Sequence, residues 1–493
     1  MSRSQKSLKN LISSVGLNLI TILASFLATP FILNMLGDVR FGLYRTIFEW
    51  IGFSSILSVS YLSFSSQMLA RQKNESIALQ GDIKAHFSFG LQILLMLLPL
   101  AAIFIFISPY ILRSPQDLIT ETRWSSLLGC IGLIFIPFLV IQALLEAQNR
   151  SYLVNAAMTA QRVSVIFFSV LGAMMFKNIE SQFLALLLGQ LLFFIIIYRP
   201  ANLKLGFSKF SRSYWKKLTP FVKIDLAGKL GMSADTIIIS LLMGPQDVTK
   251  FYLLIRLPTL LMGQLMSLGN SVWAGFSQVY KSGGDAKTLF LRLTKAVAIL
   301  ACACSGSIFL FNSDFLALWL NQSYELNFGL NTLIAFNLYG ISLISFFGWM
   351  LTAAQGEQEF AKASLLSAFA NIAIGVCATF SFGLIGPVIG SAVGYCLIKM
   401  IWILRAVRQR IHVVWPKLLE VVLLPLVFGM IYFCGIFSLR TSFNFYSISW
   451  TQLIVFGIST NFIYLFLCWF ALLSREERKY WVLRVSKNRK EAS

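Results

Sequence analysis

The chain has 493 residues, 57% of them hydrophobic and only 12% charged, with a formal net charge of +21. Soluble domains carry about 25% charged residues, whereas here apolar runs near the roughly 20 residues that cross a bilayer follow one another almost without interruption. A soluble enzyme and a nucleic-acid-binding domain are both excluded: the positive excess belongs to the Lys- and Arg-rich cytoplasmic loops of a polytopic membrane protein.

The first apolar run, LISSVGLNLITILASFLATPFILNML, far exceeds the roughly 7–15 residues of a signal-peptide core and lacks a small-residue cleavage site. It reads as a first span. Fourteen spans are expected, centred in 11–34, 43–66, 87–111, 125–145, 153–176, 181–198, 219–243, 251–275, 289–311, 329–353, 363–382, 384–403, 418–438 and 451–473. With a cytoplasmic amino terminus, the external connections hold only Arg40, Arg113, Arg123, Lys177, Lys250 and Arg440. Lys and Arg of the cytoplasmic connections and tails outnumber these by more than four to one, and the opposite orientation would invert that bias. Both termini are therefore expected in the cytoplasm.

The connection after the sixth span, RPANLKLGFSKFSRSYWKKL, is basic and reads as a cytoplasmic amphipathic segment on anionic headgroups. Its position also suits a linker between two halves. An internal repeat supports the halves. Gly244 of MGPQDVTKFY follows Gly37 of LGDVRFGLY by 207 residues, and Ala354 of AAQGEQEFAKA follows Ala147 of EAQNRSYLVNA by the same 207. Six spans per half make the repeat parallel, with the substrate path expected at the interface between lobes. The expected fold is all-α: an amino-terminal six-helix lobe (1–200), a basic cytoplasmic linker (201–218), a second six-helix lobe (219–403), two additional helices (404–473) and a basic cytoplasmic tail (474–493).

Ionisable residues inside spans are costly and normally face a bundle interior or a wet cavity. Span two carries Arg45 and Glu49, about 40° apart around a helix and able to pair. Span five carries Arg162 beside Gln161. Span seven is the most polar; at ~100° per residue Asp225, Lys229 and Asp235 share an arc of about 120°, with Lys223 pointing elsewhere near the span's end. Span eight adds Arg256, which the 207-residue offset places opposite Glu49. The candidate site is thus Arg45, Arg162, Lys229 and Arg256 as cations against Glu49, Asp225 and Asp235 as carboxylates. A passage with surplus positive charge favours an anionic group, and guanidinium forks suit phosphate oxygens. The carboxylates are candidates for proton or sodium coupling, Glu49 first because its protonation would release the neighbouring arginine. The competing reading for each is a self-satisfied packing pair or, for Asp235, a buried carboxyl left protonated.

Catalytic motifs are not found. There are two histidines, His86 and His412, with His86 expected at the membrane surface, and no paired catalytic carboxylates, P-loop or nucleophile elbow. The seven cysteines all lie in apolar segments and form neither a disulfide nor a metal framework. No cofactor is expected beyond a coupling ion.

PFILNMLGDVRFGLYRTI (30–47) resembles the first-to-second helix junction of bacterial polysaccharide and O-antigen flippases, members of the multidrug/oligosaccharidyl-lipid/polysaccharide (MOP) exporter superfamily. SADTIIISLLMGPQDVTKFYLLIRLP (233–258) is similar to the same family's seventh-to-eighth junction, FLALWLNQ (315–322) to its ninth-helix end, and residues 352–395 to its tenth-to-twelfth region. The resemblance implies two six-helix lobes around a cavity open to one membrane face at a time. It implies a substrate of undecaprenyl-pyrophosphate-linked oligosaccharide moved from the cytoplasmic to the periplasmic leaflet of the bacterial inner membrane. By position it places Arg45 and Arg256 in a cationic cavity. Membrane lipids, a polysaccharide polymerase and a chain-length regulator are the partners it implies. The two added helices leave open a flippase for another polymer, including a peptidoglycan precursor. A cation-coupled multidrug exporter of the same fold and a non-transporting membrane scaffold are the alternatives.

Overall fold

The computed structural model describes residues 3–70, 76–148, 150–201, 206–209, 212–321, 327–443 and 449–482. Lys204 of the basic linker, Gln322 of the FLALWLNQ motif and the tail beyond Val482 lie outside the described residues. The described residues are helical throughout their ordered elements, without strand. The chain divides into two compact units, Met1–Phe251 and Tyr252–Ser493.

The first unit opens with α1 (Arg3–Ala70), one element that carries the first two expected spans because the chain breaks direction at Gly37, φ 76°. A left-handed φ of that size favours glycine. Then come α2 (Ser76–Ile111), α3 (Ile119–Ile131), a 3-10 stretch Gly132–Phe138, α4 (Leu139–Ala147), α5 (Ser151–Phe176), α6 (Glu180–Ala201), α7 (Ser213–Leu242) and α8 (Pro245–Leu254), whose last residues pass into the second unit. Gly244, between α7 and α8, is the repeat partner of Gly37 and is also left-handed, φ 128°. The sequence offset therefore pairs two backbone positions with the same conformational demand. An apolar core of Val140, Ile141 and Leu144 on α4 with Phe193 and Ile197 on α6 holds the unit. A second core joins Tyr61 and Phe64 of α1 to Phe89 and Ile93 of α2 and Leu218 of α7.

The second unit contains α9 (Arg256–Lys281), α10 (Ala286–Leu320), α11 (Phe328–Ala353), α12 (Glu357–Phe382), α13 (Ile385–Ser391), a π-helical stretch Ala392–Lys399, α14 (Met400–Ile411), α15 (Trp415–Ser442) and α16 (Trp450–Ala471). Helices α10 and α11 are its most buried. The added helix α15 packs closely on α10: a Cβ at Gly306 would meet the Phe433 ring at 2.3 Å, and one at Gly429 the Cys302 sulfur at 2.0 Å. Small residues at such crossings let helix backbones approach within a membrane.

Eleven described helical runs are long and apolar enough to cross a bilayer, and up to 12 if the bent pair α8–α9 is one span. The count is lower than the fourteen expected because both arms of α1 enter as one run, Ala24–Leu69, and α7 contributes only the shorter apolar helix Ser233–Leu242. The fold is that of a polytopic all-α membrane protein.

Compactness divides the chain at 251–252, with α7 in the first unit; its polar contacts with α1 hold it there. One placement differs from expectation. His86 is buried rather than at the surface, its Nδ1 2.9 Å from the Ser65 hydroxyl and its ring 5.0 Å from that of Tyr214.

Candidate functional site

On α7, Asp225, Lys229 and Ser233 recur every four residues, so each is rotated only about 40° from the last and the three share a face. That face meets the second arm of α1. Lys229 Nζ donates to Glu49 Oε2 at 2.9 Å, and the Ser233 hydroxyl donates to the same oxygen at 2.6 Å. Arg45 Nη2, one turn back on α1, donates to Glu49 Oε1 at 3.4 Å. One carboxylate is thus shared by two cations and a hydroxyl. A turn and more along, the Ser60 hydroxyl donates to Asp225 Oδ2 at 2.6 Å, a second polar rung between the same helices.

Glycine makes the arrangement possible. A Cβ at Gly52 would lie 2.6 Å from Lys229 Nζ, so a larger side chain there would push the ammonium from its place beside Glu49. Aromatic faces complete the surroundings: Arg45 lies 5.3 Å from the Phe48 ring centroid and Lys229 5.8 Å from that of Phe53. Lys229 keeps 25% of its side-chain surface exposed against 14% for Glu49, so the cluster is not sealed. Carboxylate protonation would leave two like charges with a neutral acceptor between them, a change large enough at low dielectric to shift a helix contact.

The other expected residues are placed as follows. Arg162 on α5 reaches the Thr21 hydroxyl at 3.5 Å, and its neighbour Gln161 donates to Gln190 of α6 at 2.9 Å. Asp235 is half-buried on α7. Arg256 belongs to the second unit, at the first position of α9, where its guanidinium sits 5.5 Å from the Tyr252 ring centroid. Within the first unit the candidate cations Arg45, Arg162 and Lys229 match the carboxylates Glu49, Asp225 and Asp235 in number, so the surplus positive charge of the full set rests on Arg256. No group of three or more His, Cys, Asp or Glu able to hold a metal occurs among the described residues.

Sequence reasoning missed Ser233, Ser60 and Gly52. Ser233 was available from the four-residue spacing on α7; Ser60 and Gly52 were not, because their roles depend on α1 meeting α7. Also missed was Glu146 on α4, which accepts from Ser66 of α1 at 3.0 Å and Gln142 at 2.8 Å.

An all-helical bundle of apolar spans with carboxylate–cation contacts between α1 and α7 defines the class: a multi-pass membrane protein. The structure is similar to that of the lipid II flippase MurJ in an inward closed conformation, with a TM-score of 0.72 over 93% of this chain and 98% of that one, at 12% identity. It is also similar to an inward-facing multidrug resistance MATE family transporter of the MOP superfamily, with a TM-score of 0.61 over 80% of this chain and 94% of that one, at 15% identity. In sequence it is 24% identical to the membrane protein EpsK of Bacillus subtilis (strain 168) over 96% of each chain. Residues 7–274 match the polysaccharide biosynthesis protein family, and the chain belongs to that family. The expected membership of a polysaccharide family stands, and the fold agrees with the expected MOP-like architecture.

Proposed function

We propose that the protein is a flippase for undecaprenyl-pyrophosphate-linked oligosaccharide repeat units of O-antigen or a related surface polysaccharide. It carries them from the cytoplasmic to the periplasmic leaflet of the bacterial inner membrane by alternating access. The observation that carries this reading is that the whole Glu49 cluster lies inside the segment matched to the polysaccharide biosynthesis family. In that cluster Glu49 acts as the coupling carboxylate for a proton or sodium ion. Its loading frees Lys229 and Arg45 to attract the diphosphate, and Arg162 and Arg256 contribute further positive charge; Asp225 and Asp235 set the position and charge of α7. Guanidinium and ammonium groups suit phosphate oxygens. Polymerase and chain-length-regulating partners would take the product on the far side.

The test is complementation of a deletion strain. Wild type restores surface polysaccharide; R45Q/K229Q, present in the membrane at wild-type amounts, leaves the strain lacking it. Full restoration by the double variant refutes the reading. The MATE-like fold supports a second reading, a multidrug exporter, and raised drug susceptibility of the deletion strain with intact polysaccharide would favour it instead. Here two cations meet one carboxylate at Glu49, an arrangement ill-suited to an organic cation.

A further inference from the structure

We propose that the outward corner between α14 and α15 is a binding site for the phosphodiester headgroup of an anionic phospholipid. Arg405, Arg408 and Gln409 stand three and four residues apart on the exposed face of α14, and with Trp415 at the start of α15 they line a niche of about 320 Å³. The Arg408 guanidinium lies 5.6 Å from the Trp415 ring centroid, which holds it against the wall. Neither Arg405 nor Arg408 has a carboxylate partner among the described residues. Arg410, two residues on, provides the contrast: it pairs with Glu359 at 2.5 Å. The same short helix therefore satisfies one arginine internally and leaves two directed outward.

The surroundings select a lipid over a soluble anion. Both helices are apolar enough to span a bilayer, Ile385–Ile411 and Trp415–Ser442. The face that carries the niche continues into exposed Leu397, Ile401, Trp402, Leu419 and Leu423, the side chains expected against hydrocarbon. Arg405 and Arg408 fall where that apolar face ends, beside two tryptophans of the kind that mark the headgroup level. A cation at this level attracts acidic lipid by about 1 kcal/mol, and two guanidinium forks on one phosphodiester add geometry to charge. Lys417, exposed in the first turn of α15, adds to the field.

Native mass spectrometry of the purified full-length protein, titrated with dioleoyl phosphatidylglycerol or dioleoyl phosphatidylethanolamine, tests the site. Wild type is expected to retain phosphatidylglycerol preferentially, and R405Q/R408Q to lose up to about thirtyfold of that preference, two cations at the tenfold-per-1.4 kcal/mol conversion. The control K281Q/K287Q removes the same charge from another connection of the same unit and is expected to leave the preference intact. Three results overturn the proposal: no lipid preference in wild type, equal loss in the control, or displacement of phosphatidylglycerol by equimolar undecaprenyl phosphate, which would assign the niche to a carrier lipid.

Discussion

The α1–α7 contact in the first unit and the α10–α15 contact in the second both bury ionised side chains, yet they are built differently. On α10, Asp314 receives Arg440 of α15 through both carboxylate oxygens at 2.5 Å, and Arg440 also donates to the Leu310 carbonyl. Nearer the other end of α10, Lys295 pairs with Glu477, beyond α16, at 3.1 Å. Nineteen residues separate Lys295 from Asp314, about 28 Å of helix rise. That is close to the roughly 30 Å of a bilayer's hydrocarbon core, so the two pairs fasten the added helices to α10 at its two membrane levels. Each is one cation with one carboxylate. At Glu49, by contrast, one carboxylate serves Arg45, Lys229 and Ser233. A matched pair fixes an assembly; a shared acceptor can be reallocated when its charge changes.

The largest effect that separates the two designs is expected at Asp314. D314A removes the carboxylate that neutralises a buried arginine and costs about 3–5 kcal/mol, read as loss of folded protein by fluorescence-detected size-exclusion chromatography. D314L/R440M is expected to recover much of it. A D314A protein of wild-type stability that fails only in polysaccharide export would erase the distinction.

E49Q comes next. Glutamine still accepts from Lys229 and Ser233, so membrane abundance is expected to stay near wild type, while surface polysaccharide drops to the level of the deletion strain. G52V sharpens the same point without touching a charge. Its side chain must displace Lys229, and export is expected to fall with little change in membrane abundance; G52A, which meets only the flexible end of that lysine, is milder.

The smallest effect is a pH dependence at Glu477. Burial raises its pKa, but the Ser474 backbone N–H and Lys295 outweigh that and hold it below the usual carboxylate range. A carboxylate depressed in the folded state contributes stability above its unfolded pKa, about 4.3, and loses it as pH falls through the folded value. Wild type should therefore melt above E477Q at pH 7, and the gap should close toward pH 3.

What the sequence made legible was local. The Arg45–Glu49 pair follows from a four-residue spacing, the polar face of α7 from its helical period, and the Gly37–Gly244 correspondence from one offset. Contacts between distant segments were not legible. Lys229 meets Glu49 across 180 residues and Arg440 meets Asp314 across 126, and no periodicity announces either. Composition marks the basic linker at 201–218, while compactness follows the α1–α7 contacts to residue 251. Arg440 looked like one charge of an external connection and proved to be the clasp of α15.

The most direct measurement is transbilayer movement of an undecaprenyl-pyrophosphate-linked oligosaccharide in proteoliposomes, with and without an imposed proton or sodium gradient. Wild type is expected to accelerate when the gradient is applied, and E49Q to show slow movement indifferent to it. Gradient-driven movement by E49Q at the wild-type rate would contradict the role assigned to the shared carboxylate.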